Sequence, residues 1–317
     1  MLVGEACSTY LAHCEQIKKL SVHSVNAYRR DLETFKSIVG GNADIELIDR
    51  KSINSFIDAS FSRGLSEATV KRRIACIKCL FKWLESEGEI VISPFHQLDV
   101  KIRIPQRLPR NLSPLELNKI LSVCRSKLRL PRNTEYLRAD FGGLSKRKMN
   151  EFSTLLCTEV LFTTGIRVGE LIDVQLPDIF LEEQYIHIRG KGRRERRVFV
   201  TDTSIRNLID SYIYYRSFVA PNHNNLLVNS IGRPASTQVV RIWLRKISEE
   251  AQLSRRATPH MYRHSAATQL LSSGVDITYV QKLLGHQSIE TTQLYAHVSH
   301  ADVFKSVVKA NIRRDIL

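Results

Sequence analysis

Between Asp99 and Asn111 the sequence breaks in a way that one continuous packed core does not tolerate. The stretch carries Pro105 and Pro109 together with Lys101, Arg103, Arg107 and Arg110, and no acid follows Asp99. The prolines remove backbone donors and end any helix, and uncompensated cations keep the segment in water. It stops at Ser113-Pro114-Leu115-Glu116, a capping box with proline at the first helical position, which opens a new helix. The chain is therefore predicted to fold as two units, residues 1–100 and 113–317, joined by a basic linker over 101–112. Its 317 residues agree with two domains of roughly 150 residues each.

The two units differ in pattern. In the first, Val25, Tyr28, Leu32, Phe35 and Val39 recur at helical spacing, as do Val70, Ile74, Ile77, Phe81 and Leu84. Lys71, Lys78 and Lys82 lie off that second apolar face and form a stripe suited to a phosphate backbone. In the second unit, Arg125 to Lys148 is rich in Arg and Lys, includes Pro131, Gly142 and Gly143, and reads as an irregular insertion. Glu151 to Phe162 is an apolar helix. Tyr185–Ile188 and Arg197–Val200 are β-rich runs around Gly190-Lys191-Gly192-Arg193-Arg194, a hairpin with a basic tip. Further helices are expected around Ile205–Ile213 and Val239–Ala251, then to the end with breaks at Gly274 and Gly285. The expected fold class is mostly α in two domains, the second a mixed α+β domain with a small antiparallel sheet.

Charge narrows the function. The net charge is +15, yet residues 1–103 hold 15 basic against 13 acidic side chains. The excess thus lies from the linker onward, which points to a polyanion such as nucleic acid. No apolar run approaches the ~20 residues of a spanning helix, so no membrane role is expected. The first residues lack a basic leader and an apolar core, which argues against secretion and for the cytoplasm, at the nucleoid. The six cysteines are scattered. Cys76-x-x-Cys79 has no second pair, so free thiols are expected and no zinc site.

Three local patterns carry the chemistry: Thr164-Gly165-Ile166-Arg167-Val168-Gly169-Glu170-Leu171, His260-Met261-Tyr262-Arg263-His264, and Leu283-Leu284-Gly285-His286 followed by Tyr295 in Thr291–Val298. Each alone has an ordinary explanation. Arg167 and Glu170 could form a surface ion pair at i,i+3. His260 and His264 share a helix face but lack the intervening Glu of a His-Glu-x-x-His metalloprotease. A single tyrosine such as Tyr295 is usually a core aromatic.

Together and in this order, with Gly190-Lys191-Gly192 between them, these motifs resemble the tyrosine recombinase (phage integrase) family. The resemblance spans residues 158–298 and extends more weakly to Ser24–Leu32, which is similar to that family's core-binding domain. It implies that residues 1–100 are a helical core-binding domain and 113–317 the catalytic domain, the two clamped around double-stranded DNA. It implies a site-specific recombinase that cleaves and rejoins DNA through a 3′-phosphotyrosyl intermediate and a Holliday junction. Tyr295 would be the nucleophile and Lys191 the general acid, with His260 assisting proton transfer. Arg167, Arg263 and His286 would stabilise the transition state, and Glu170 and His264 would orient the arginines. Tyr262 stands where leucine is usual before the second arginine, which should alter packing and leave the chemistry intact.

The physics agrees with that assignment. A phosphodiester in transition gathers negative charge on its equatorial oxygens, and guanidinium forks match two such oxygens at once. The phosphotyrosyl bond conserves the energy of the broken ester, so neither metal, ATP nor any other cofactor is expected. DNA grip is assigned to Lys71, Lys78, Lys82, Arg103, Arg107, Arg110, Arg193 and Arg194. The segment Ala301–Ile312 places Val303, Phe304, Val307 and Val308 on one helical face. By resemblance it docks on a neighbouring protomer, giving two protomers per site and a tetramer in the synapse, with room for accessory DNA-bending proteins. The expected task is integration, excision or transposition of a mobile element. The alternatives are Xer-like chromosome or plasmid dimer resolution, a non-cleaving DNA-binding regulator, a metal-dependent hydrolase and a topoisomerase-like relaxing enzyme. The basic stretch Arg125–Lys148 is longer than the family's usual connection and is expected to meet DNA or a neighbouring subunit.

Overall fold

The computed structural model describes residues 1–96, 98, 100, 102–103, 110–130, 136, 145, 148–190, 195–219 and 221–285. The chain divides into two compact units, Met1–Arg107 and Leu108–Leu317.

The first unit is built from helices α1 (Val3–Gln16), α2 (Val22–Val39), α3 (Arg50–Ser62) and α4 (Glu67–Ser86). The Ser21, Asp49 and Ser66 side chains each accept a backbone N–H in the first turn of α2, α3 and α4, satisfying donors that a helix start leaves open. The five apolar positions of α4 are buried, and so are Cys76, Leu80 and Trp83. The buried face is wider than the sequence stripe because α4 packs against all of α1, α2 and α3. Lys71, Lys78 and Lys82 are exposed. The Asp31 carboxylate is buried and pairs with Arg72, with Arg73 3.7 Å away. Cys76 is buried and Cys79 exposed, so the pair does not converge on one site.

The second unit surrounds α6 (Met149–Thr164), which is buried on nearly all sides and packs against α5 (Pro114–Leu128), α8 (Thr203–Arg216), α9 (Thr237–Glu250) and α10 (Pro259–Ser272). The capping box forms: Ser113 Oγ accepts the Glu116 N–H at 3.2 Å and Glu116 Oε2 accepts the Ser113 N–H at 2.8 Å. The short α7 (Val168–Asp173) leads into the sheet, and α11 (Ile277–Leu284) follows α10. The sheet has three antiparallel strands in the order β1 (Ile179–Phe180), β2 (Tyr185–Arg189), β3 (Glu195–Phe199). The hairpin's second arm thus begins two residues and ends one residue earlier than the apolar run suggests, because the register pairs Arg189 with Glu195 and Tyr185 with Phe199.

The basic stretch from Arg125 needs correcting in part. Arg125 to Leu128 are the last turn of α5, not a loop. Arg125 Nε donates to the Tyr136 hydroxyl at 3.0 Å, and that hydroxyl donates to Glu159. Glu159 is buried, and a carboxylate inside a core requires such partners. Lys127 pairs with Glu250 at 2.7 Å, and Lys148 donates to the Lys127 carbonyl at 2.9 Å. These three cations are engaged within the domain itself. No helix among the described residues is long and apolar enough to cross a membrane. Lys191, Arg107, Arg193, Arg194, His286, Tyr295 and the segment Ala301–Ile312 lie outside the described residues.

Candidate active site

The Thr-Gly-x-Arg-x-x-Glu spacing is a device for ending one helix and starting the next. Gly165 closes α6 with φ +62°, a left-handed conformation that favours glycine. A Cβ there would meet Leu284 Cδ2 at 2.5 Å and Ala266 Cβ at 3.3 Å. Arg167 precedes the first turn of α7, and Glu170, three residues on, accepts the Arg167 backbone N–H at 2.9 Å. The same carboxylate takes Arg167 Nη1 at 2.9 Å. The i,i+3 ion pair of the sequence is therefore real and serves to fix the arginine at a helix start.

Three arginines then converge on one helix end. The last carbonyls of a helix have no partner within it and carry the negative end of its dipole. At the end of α11, Arg196 Nε donates to the Leu283 carbonyl at 3.0 Å and Arg263 Nη2 to Leu284 at 2.6 Å. Arg167 Nη2 donates to Gly285 at 2.9 Å. Arg263 Nη1 reaches back to the Gly165 carbonyl at 2.6 Å. Arg196 spans both oxygens of Glu170, at 2.8 Å each. Arg263 is only 5% exposed, while the Arg167 side chain is 42% exposed. One arginine is thus locked into the wall and the other partly open to solvent.

Electrostatics follow from that packing. Burial pushes the Glu170 carboxyl up, but the hydrogen bonds from Arg196 and Arg167 outweigh it and hold its pKa at about 2. His260, in the first turn of α10, lies below its ordinary pKa. Desolvation of its ring is the main cause, with Arg263, Arg241 and Arg167 adding to it. His264 is lowered by burial, then by His260 and Arg263. Both imidazoles are therefore neutral near pH 7, and a neutral imidazole can take a proton. With three guanidinium groups against one carboxylate, the cluster is set for an anion. Among the described residues no group of three His, Cys, Asp or Glu is placed to hold a metal ion.

The structure thus brings Arg167, Glu170 and Arg263 together around α11, with His260 close enough to feel both arginines. Arg103 and Arg110 are exposed, away from any ion pair among the described residues. Arg196 is the residue of this cluster that the sequence motifs did not single out. The signal was present: Arg196, Val198 and Val200 share one face of a period-two strand, and both valines are buried. Gly165→Ala is expected to lower stability by about 1–3 kcal/mol through strain and the Leu284 clash. Thermal unfolding checks this, with a wild-type melting point contradicting the geometry.

The Phage integrase family matches residues 140–302, and the Phage integrase N-terminal SAM-like domain matches residues 8–88. A tyrosine recombinase of Agathobacter rectalis is 32% identical over 314 residues, covering 97% of this chain and 96% of its own. A tyrosine recombinase XerC of Listeria innocua is 30% identical over 320 residues, 98% of each chain. The Tn1549 transposon integrase, solved in complex with transposon right end DNA, superimposes with a TM-score of 0.75 at 17% identity, covering 98% of this chain and 100% of that one. The last likeness establishes the mostly helical fold with its small sheet.

Proposed function

The chain belongs to the phage integrase family, the tyrosine recombinases, and from that premise we propose how its residues cleave and rejoin DNA and for what task. It is a site-specific recombinase. Arg167 and Arg263 receive the non-bridging oxygens of the scissile phosphate, and His286 adds a further donor. Tyr295 Oη attacks phosphorus and gives up its proton to neutral His260. The bond to the 5′-oxygen breaks, and Lys191 protonates that leaving oxygen. The product is a 3′-phosphotyrosyl link and a free 5′-hydroxyl. Reversal by the 5′-hydroxyl of a partner strand rejoins DNA, and two rounds pass through a Holliday junction. The phosphorus–oxygen bonds exchanged are of one kind, so no ATP is consumed. The observation that carries this reading is the convergence of Arg167 and Arg263 on the α11 end with neutral His260 beside them.

Double-stranded DNA is the partner, gripped by Lys71, Lys78, Lys82, Arg103, Arg107, Arg110, Arg193 and Arg194. Two protomers occupy each site and four the synapse, linked by the terminal segment. The task is integration, excision or transposition of a mobile element. The connection between α5 and α6, longer by resemblance than the family's usual one, favours that reading. Dimer resolution is the second reading, favoured by the end-to-end likeness to the XerC chain. Flanking repeats and cargo genes around the gene would support the first, and a position near a replication terminus the second.

A plasmid carrying two copies of the recombination site tests the reaction. Exchange products and Holliday junctions are expected in EDTA and without ATP. Relaxation without exchange would mark a topoisomerase-like enzyme, and binding without any adduct a regulator. Abolition by EDTA with rescue by zinc would mark a hydrolase. DNA affinity should fall steeply with salt, by a log–log slope of roughly −0.9 per phosphate neutralised. Fluorescence anisotropy across a salt series measures it, and a flat dependence would contradict the assigned grip.

A further inference from the structure

Arg196 takes no part in the reaction proposed above, yet all three of its guanidinium nitrogens are tied into the site. Its Nη1 and Nη2 bind the two oxygens of Glu170 and its Nε binds the Leu283 carbonyl, at 2.8, 2.8 and 3.0 Å. It stands 26 residues from Glu170 and 87 from Leu283, so one side chain joins β3, α7 and the end of α11. The carboxylate it holds is the one that receives Arg167 Nη1 and the Arg167 backbone N–H. The carbonyl it holds is followed by the two that receive Arg263 and Arg167.

We propose that Arg196 is a positioning residue for DNA cleavage: by clamping Glu170 to the end of α11 it fixes the guanidinium planes of Arg167 and Arg263 before DNA arrives. This rests on the recombinase reading above. A donor array stabilises a transition state best when it needs no rearrangement at the moment of reaction. Without Arg196, the Glu170 carboxylate loses its bidentate partner and is free to rotate with Arg167. Gly285 belongs to the same device. It closes α11 with φ +66°, and a Cβ there would lie 3.2 Å from Arg196 Nη1. The competing role, a phosphate grip like that assigned to Arg193 and Arg194, fits poorly. The Arg196 side chain is 16% exposed, and both its Nη atoms are spent on the Glu170 carboxylate, which already neutralises its charge.

The test separates positioning from grip and from folding. Nicked, sheared DNA of the source genome is incubated with the wild-type chain, and covalent adducts are recovered in detergent to define the cleaved sequence. That sequence, nicked beside the scissile phosphate, serves as the substrate for single-turnover cleavage at saturating protein. Arg196→Met is expected to slow the saturated step by about 10- to 100-fold while DNA affinity stays near wild type. Arg196→Lys, which keeps the charge and loses the planar fork, should recover only a small part of the rate. Glu170 supplies a second readout. Burial favours its neutral form and Arg196 opposes that, so in Arg196→Met its pKa rises. Cleavage then gains an acid limb absent from wild type, and Glu170→Gln in the same background removes that limb. His260 titrates in every variant and cancels in the ratio to wild type.

Arg196→Met at the wild-type saturated rate, or with its whole deficit in affinity, overturns the inference and leaves the recombinase reading standing. So does a pH profile parallel to wild type. If Arg196→Met does not fold, Arg196→Lys decides alone: a full wild-type rate overturns the clamp, and a saturated rate depressed without loss of affinity supports it. A wild-type chain that yields no adduct at all overturns the recombinase reading and this inference together.

Discussion

Tyr295→Phe is expected to abolish covalent capture of DNA, lowering adduct formation on a nicked site by roughly 10⁴-fold or more, with DNA affinity unchanged. The substitution removes one oxygen and keeps the ring, so packing and charge are preserved and only the attacking atom is lost. A phenol has a pKa near ~10 and is a weak nucleophile at neutral pH. In the proposed mechanism the cationic site around Arg167 and Arg263 favours its phenolate, and neutral His260 accepts its proton. No neighbouring hydroxyl is expected to substitute, since in-line attack on phosphorus demands one position. The assay is denaturing electrophoresis of protein–DNA adducts beside an anisotropy titration. Equal adduct from Tyr295→Phe and wild type would remove Tyr295 from the mechanism.

The second large effect belongs to the arginines. Arg167→Lys and Arg263→Lys should each lower the saturated cleavage rate by roughly 10²–10³-fold, the usual loss on removing a preorganised donor to a developing oxyanion. Lysine keeps the charge but cannot bridge two acceptors with a planar fork. The two variants should differ in stability. Buried Arg263 satisfies the carbonyls of Gly165 and Leu284, and leaving buried carbonyls unpaired costs about 1–3 kcal/mol. Arg263→Lys is therefore expected to melt lower than Arg167→Lys, whose half-exposed side chain is partly solvated in either form. Single-turnover rates and thermal melts on the same preparations measure both quantities. Equal melting with unequal rates would mean that Arg263 contributes to chemistry alone.

Much of this was legible in the residues because it is local. The capping box at Ser113 and the Arg167–Glu170 pair each involve neighbours three positions apart. Helical spacing gave α2 and α4, although the burial of Cys76, Leu80 and Trp83 reflects three partner helices that a single stripe cannot report. The hairpin was visible and its register was not, since pairing Arg189 with Glu195 is a property of two strands. Contacts at long range were illegible for the same reason. Nothing near Arg196 in the chain announces Glu170 or Leu283, so a structural arginine resembled its basic neighbours. Arg125, Tyr136 and Glu159 form a buried group that composition alone presents as a charged loop. Of the +15 net charge, some of the cations most suggestive of DNA thus stabilise the protein itself.

The central claim is that Tyr295 joins itself to a 3′-phosphate of DNA. Mass spectrometry of the trapped adduct, after protease digestion and nuclease trimming, reads the attachment site directly. A peptide containing Tyr295 with a nucleotide linked through its 3′-phosphate is the predicted result. A nucleotide on any other residue, or a 5′-phosphate linkage on Tyr295, would contradict it.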